Sequence, residues 1–147
     1  MSTNVESAVS LFKQGFNCAQ AILATYGKEF NLERDTALKL ASGFGGGMGA
    51  MGQTCGAVTG AFMIIGLKYG ATSCSDEEVK INTYKLIRKF AERFKSRNGT
   101  NICKELLGCD ISTEEGFRTA KEKDLFSTIC PKLVQDAAEI LEEIVTV

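Results

Sequence analysis

Between Gly43 and Gly70 the chain reads GFGGGMGAMGQTCGAVTGAFMIIGLKYG, and this stretch constrains the fold more than any other. Eight of the 15 glycines lie between Gly43 and Gly60, so the backbone there is unusually free. The run that follows, Ala57 to Leu67, is apolar nearly all round, the pattern of a helix buried among other helices. It is interrupted by Thr59, Gly60 and Gly66 and stops at Lys68, well short of the roughly 20 residues that span a bilayer. Thr54 is its expected N-cap, with Cys55 as the head of a helix running to Tyr69.

The rest of the chain carries further helix signals. Ser2 or Thr3 can cap a first helix, with Val5, Ala8, Val9 and Phe12 on one face and Gly15 as its end. Asn17 is the expected cap of CAQAILATYG, closed by Gly27. Asn31 is the expected cap of a third helix, with Ala37, Leu38 and Ala41 inward and Glu33, Arg34, Asp35 and Lys39 outward. Ser75 or Asp76 starts a long helix with the stripe Val79, Thr83, Leu86, Phe90 and Phe94, ended by Asn98 and Gly99. Its outer face is basic, including Lys85, Arg88, Lys89, Arg93, Lys95 and Arg97. That face reads first as solvated, and second as a partner for an acidic face such as that of the last helix, in this or a second subunit. Thr100 or Asn101 can cap ICKELLG, and Thr113 starts a helix through Phe117 and Ala120. The last helix opens with Cys130 as N-cap and Pro131 at its first position, then the stripe Leu133, Val134, Ala137, Ile140, Leu141 and Ile144.

No alternating strand pattern, internal repeat or low-complexity segment interrupts this order. The expected architecture is an all-α, single-domain bundle over residues 1–147, with about six to eight helices, a buried central helix and a glycine-rich loop.

Composition removes several functions. Histidine is absent, which excludes Ser–His–Asp and Cys–His catalytic pairs and histidine-ligated zinc or haem. A net charge of −1 gives no electrostatic case for nucleic acid or an anionic membrane surface, and no membrane insertion is expected. The start, MSTNVESAVSLFKQGF, lacks the basic and apolar segments of a secretory signal, so a cytoplasmic setting is expected. Structural disulfides are uncommon there, and six cysteines need another account.

Four of them, Cys18, Cys55, Cys103 and Cys130, fall at expected helix N-termini. Free N–H groups and the positive dipole end there favour a thiolate, the form that attacks disulfides and binds metals. No C-x-x-C occurs, so a thioredoxin-type motif, a zinc ribbon and a local ferredoxin loop are all absent. A joint site must be assembled by the fold from residues far apart, and its disulfide pairing is open. Gly47, Gly49 and Gly52 match G-x-G-x-x-G, but a helix precedes them where a dinucleotide site needs a strand. Gly52, Gly56 and Gly60, spaced by four beside Ala57 and Ala61, read instead as a packing seam.

Taken together, NCAQAIL at Cys18, TCGAVTGA at Cys55, CKELLG at Cys103 and CPKLVQDAAEIL at Cys130 resemble the CGAxxG-motif family of redox-active proteins, written C_GCAxxG_C_C. The resemblance covers nearly the whole chain. It implies that Cys18, Cys55, Cys103 and Cys130 are the shared cysteines and that Gly56, Ala57 and Gly60 complete the central motif. Cys74 and Cys109 have no counterpart in the pattern.

Two functional classes follow. The first is a redox protein, an oxidoreductase or an electron carrier, with a redox partner protein. Its four thiols either cycle through a disulfide, with Cys55 the leading nucleophile, or ligate an iron–sulfur cluster. The second is a non-catalytic helical interaction module, compatible with a homodimer, whose cysteines are core residues.

Overall fold

The computed structural model describes residues 2–145 and is helical throughout. The elements are α1 (Thr3–Lys13), α2 (Cys18–Gly27), α3 (Arg34–Ala41), α4 (Gly56–Tyr69) and α5 (Glu77–Asn98). They continue with α6 (Cys103–Leu107), α7 (Glu114–Glu122), α8 (Leu125–Thr128) and α9 (Cys130–Ile144). All the helices expected from the sequence are present. The addition is α8, a single turn leading into α9. Among the described residues there is no β-strand, only an isolated antiparallel bridge between Thr54 and Ile102.

Side-chain caps set several of the boundaries. Ser2 accepts from the Val5 N–H, Asp76 from Val79 and Thr113 from Gly116. Asn17 and Gln20 form a reciprocal capping box, each side chain accepting from the other's backbone N–H. Left-handed Gly99 and Gly108 close α5 and α6. Other expected caps differ. Asn31 does not cap α3; it ends a 3₁₀ turn over Lys28–Phe30 in the left-handed conformation, and Glu33 precedes the helix. Thr100 turns back on its own segment, accepting from the Ile102 N–H and donating to Glu105, so α6 starts after Ile102.

Two helices share the centre. In α4, Ala57, Val58, Ala61, Ile64 and Ile65 have essentially no exposure. In α2 every residue from Ala21 to Gly27 is buried. The two cross closely because α4 has glycines at the crossing. A Cβ on Gly56 would lie 3.0 Å from the Ala19 nitrogen, and one on Gly60 would lie 3.1 Å from the Ala19 oxygen. Gly52 is not part of this seam; it is a left-handed loop residue against Lys104.

The long helix α5 packs on α4 and α9. Phe90 and Phe94 are fully buried, and the Phe62 ring meets Phe90 edge-on at 6.0 Å. The basic face of α5 is partly engaged by the acidic face of α9 in the same chain. Arg97 pairs with Asp136 at 3.3 Å and Glu139 at 2.8 Å, and Arg93 pairs with Glu143 at 3.2 Å. Lys85, Arg88, Lys89 and Lys95 remain exposed. A small second core of Cys103, Leu107, Ile111, Ala120 and Cys130 joins the main core through Phe12, Cys18 and Ile129. No helix among the described residues is long and apolar enough to cross a membrane.

Candidate functional site

The four cysteines of the helix-terminus set line one cavity of about 250 Å³, together with Gly46, Gly47 and Gly56. Different local causes bring each there. Cys18 is the first residue of α2, held by the Asn17–Gln20 box. Asn17 is itself tied to the end of α3, donating from Nδ2 to the Ser42 carbonyl at 3.1 Å.

Cys55 is the N-cap residue of α4, with extended ψ of 136°, rather than its first helical residue. The backbone at Thr54 is engaged in the bridge to Ile102, so the helix begins one residue later than Thr54 capping would give. The same bridge sets Cys55 beside Cys103. The Cys55 N–H donates to the Asn101 carbonyl at 2.9 Å, and the Cys103 N–H donates to Gln53 at 2.6 Å. Cys130 lies inside the first turn of α9 instead of capping it, because Ile129 is already helical at the end of α8, with Pro131 next.

The remaining wall is the glycine loop. Five consecutive residues, Gly46, Gly47, Met48, Gly49 and Ala50, have φ between +58° and +71°. Such a left-handed run costs roughly 1–2 kcal/mol at each non-glycine position, here Met48 and Ala50. Backbone bonds hold the coil together: Gly49 to Gly43 at 2.7 Å, Gly52 to Gly46 at 3.0 Å and Gln53 to Gly47 at 2.9 Å. At Gly47 a Cβ would come within 2.7 Å of the Cys103 Cβ, so only glycine admits the loop this close to the thiols. The G-x-G-x-x-G match therefore serves a coil against a helix end, with no βαβ unit around it.

The electrostatics of the thiols differ. Cys55 is held below the ordinary thiol range, first by a hydrogen bond from the Cys18 thiol, then by the Ala57 and Val58 N–H groups against the opposing effect of burial. Cys18 is pushed well up. Its thiol is in hydrogen-bond reach of Cys130 and of Cys55, it is enclosed, and ionising it would place negative charges side by side. Cys103 is pushed up to about 12, chiefly by burial and secondarily by Cys55, Cys130 and Cys109. These surroundings favour ionisation of Cys55 over that of Cys18 and Cys103.

All six cysteines are free thiols. Cys74 is exposed in the loop before α5. Cys109 is half-buried and packs on the small core that contains Cys103 and Cys130, a placement its sequence position after Gly108 did not signal. Sequence reasoning also missed Phe12, Phe16 and Phe126, which wall the cavity. Nothing in their local pattern separates them from ordinary core residues. Among the described residues, no group of three or more cysteine or acidic side chains has the arrangement that holds a metal ion.

Comparison with known proteins identifies a family. Residues 16–144 fit the family model described as "Putative redox-active protein (C_GCAxxG_C_C)". No curated protein and no solved structure matches the chain. The matched region begins just before Cys18 and runs through α9, so it takes in every thiol that lines the cavity. With a match over most of its length, the chain belongs to the C_GCAxxG_C_C family of redox-active proteins.

Proposed function

We propose that this chain is a thiol–disulfide redox protein in which Cys55 is the attacking thiolate and Cys18 the resolving thiol. The observation that carries this reading is the cavity that Cys18, Cys55 and Cys130 line together, with the Cys18 thiol in hydrogen-bond reach of the other two. The Cys55 thiolate attacks one sulfur of an oxidised partner's disulfide and expels the other as a thiolate, giving a mixed disulfide. Cys18 then attacks the Cys55 sulfur and releases the partner's second thiol, while its proton goes to a departing thiolate. The product is a Cys18–Cys55 disulfide in the protein and two thiols in the partner. An external dithiol, of a protein or a small molecule, returns the protein to its starting state. Cys130, also beside Cys18, is placed to take over the disulfide by exchange. Such a cycle suits a reducing compartment such as the cytoplasm.

Ligation of an iron–sulfur cluster by the same residues has the shared lining of four thiols in its favour. Among the described residues no three donors surround the position of a single ion, whereas a cluster, whose thiolates bind separate irons, is decided by the assay below.

Anaerobic purification followed by an absorption spectrum, an iron and sulfide assay and a thiol count tests the proposal. The expected protein is colourless, loses two thiols on mild oxidation, and yields a peptide pair joining Cys18 to Cys55 or Cys130. Visible charge-transfer bands with bound iron and sulfide would overturn it in favour of the cluster.

A further inference from the structure

The cavity in front of the thiols carries information about what reaches them. Its walls away from the cysteines are Phe12, Phe16, Phe126, Leu107 and Leu133. No charged residue lines it. The one polar side chain, Asn17, is already committed: Oδ1 accepts from the Gln20 N–H at 2.8 Å and Nδ2 donates to Ser42. A ligand with a carboxylate would meet no cationic side chain and no spare side-chain partner, and would lie beside the Cys55 sulfur that has to ionise, so burying it unpaired is strongly unfavourable.

Size limits the ligand further. A cavity of about 150 Å³ lined by apolar side chains takes benzene. At about 250 Å³ this cavity admits a substituted aromatic ring. It is too small to enclose a peptide loop from a folded protein partner or a charged tripeptide disulfide. Of the lining residues Gly15 is the exposed one, while Phe16 and Phe126 are half-buried. The Arg34 guanidinium lies 5.6 Å from the Phe16 ring centroid and does not itself line the cavity.

We infer that the oxidised substrate of this site is a small, uncharged, aromatic or similarly apolar disulfide, bound against the three phenylalanine rings with its S–S bond at Cys55. This rests on the thiol–disulfide reading. The Cys55 thiolate attacks the substrate S–S bond and one aryl thiolate leaves. Cys18 then displaces the second from the mixed disulfide, so two electrons pass from the protein thiols to one substrate disulfide, which departs as two thiols.

Two measurements test this. In the first, uncharged dithiodipyridine, dianionic dithiobis-nitrobenzoate and oxidised glutathione are compared as oxidants of Cys55 by peptide mapping. Each rate is divided by that for the urea-unfolded chain to remove intrinsic reactivity. The expected normalised preference for the uncharged reagent is at least about tenfold, from the penalty on burying charge. In the second, toluene is titrated into a Cys55→Ser variant and into the unaltered protein, and phenylalanine ring resonances are followed by NMR. Saturable shifts of the cavity phenylalanines are expected in both. Equal normalised rates for all three oxidants, with no toluene shift, would overturn the substrate class and leave the thiol chemistry standing. Saturable toluene binding with Cys55 unoxidised by every reagent would instead overturn the thiol reading and the substrate assignment built on it.

Discussion

At the residue scale, thiols of the same chemical type are pushed in opposite directions by their surroundings, Cys55 down and Cys18 and Cys103 up. Cys55 is low because Cys18 donates to it and two backbone N–H groups of α4 face it. Replacing Cys18 by alanine removes the largest of those effects. The pH at which Cys55 reaches half its maximal alkylation rate should therefore rise, and its rate at neutral pH should fall. A pH profile of iodoacetamide labelling, read by mass spectrometry, checks this; an unchanged profile would mean that Cys18 does not act on Cys55. Cys103 gives a second prediction, of opposite sense. Its pKa in the folded chain is pushed up to about 12, while an unfolded thiol titrates near ~8.5. The folded state thus keeps the proton longer. Its contribution to stability is complete below the unfolded value and is lost as pH rises toward the folded value. Urea midpoints should fall from about pH 9 upward, and Cys103→Ala should flatten that fall; Cys18, also raised, adds to the slope in the same sense.

At the scale of elements, the α2–α4 crossing places Cys18 beside Cys55. Gly60 sits where its added Cβ would meet the Ala19 carbonyl oxygen and the Ile22 Cβ, both at 3.1 Å. A backbone atom cannot move aside as a side chain can. Gly60→Ala should therefore destabilise by about 1–2 kcal/mol, overpacking outweighing a helix-propensity gain of about 1 kcal/mol. Gly66, in the same helix, has nothing within 4 Å of its Cβ position. Gly66→Ala should stabilise by up to about 1 kcal/mol from propensity alone. Urea unfolding of the two variants separates packing from propensity, and equal effects would refute the close crossing. The loop before α4 follows the same logic, with strain at Met48 and Ala50 tolerated because backbone bonds on both sides hold the coil.

At the scale of the whole molecule, α5 and α9 close the bundle over the central pair. Arg97 reaches Asp136, Glu139 and, at 3.8 Å, Glu143, and Asp136 is also held by Lys132 at 2.6 Å. Because Arg97 is itself exposed, its pairing is a modest effect. Arg97→Ala should cost about 1 kcal/mol, less at high salt, as followed by thermal unfolding across ionic strengths. The all-α class was legible because the apolar positions recur at three and four throughout and turn residues fall between the runs. The capping residues Ser2, Asn17, Asp76 and Thr113 were legible for the same local reason. Asn31, Thr54 and Thr100 were not, because neighbouring segments claim their backbone or set it in a left-handed turn.

The sequence by itself determined the helices, the absence of histidine chemistry, and the set of cysteines at helix starts, all properties of residue type and short-range spacing. The grouping of the glycines into a loop and a seam was also readable, since glycine is the residue with the least steric demand. Only the tertiary structure decided that the four thiols share one cavity, that Cys18 lies between Cys55 and Cys130, and that Cys109 packs beside that group. It also decided that Phe126 of α8 joins Phe12 and Phe16, at and just after the end of α1, in an uncharged wall of the thiol cavity. These are long-range contacts set by helix crossing and by a single backbone bridge. No local pattern records which helix end meets which, so the same cysteine spacings are compatible with several groupings until helix crossings such as the Gly56–Ala19 approach bring particular ends together.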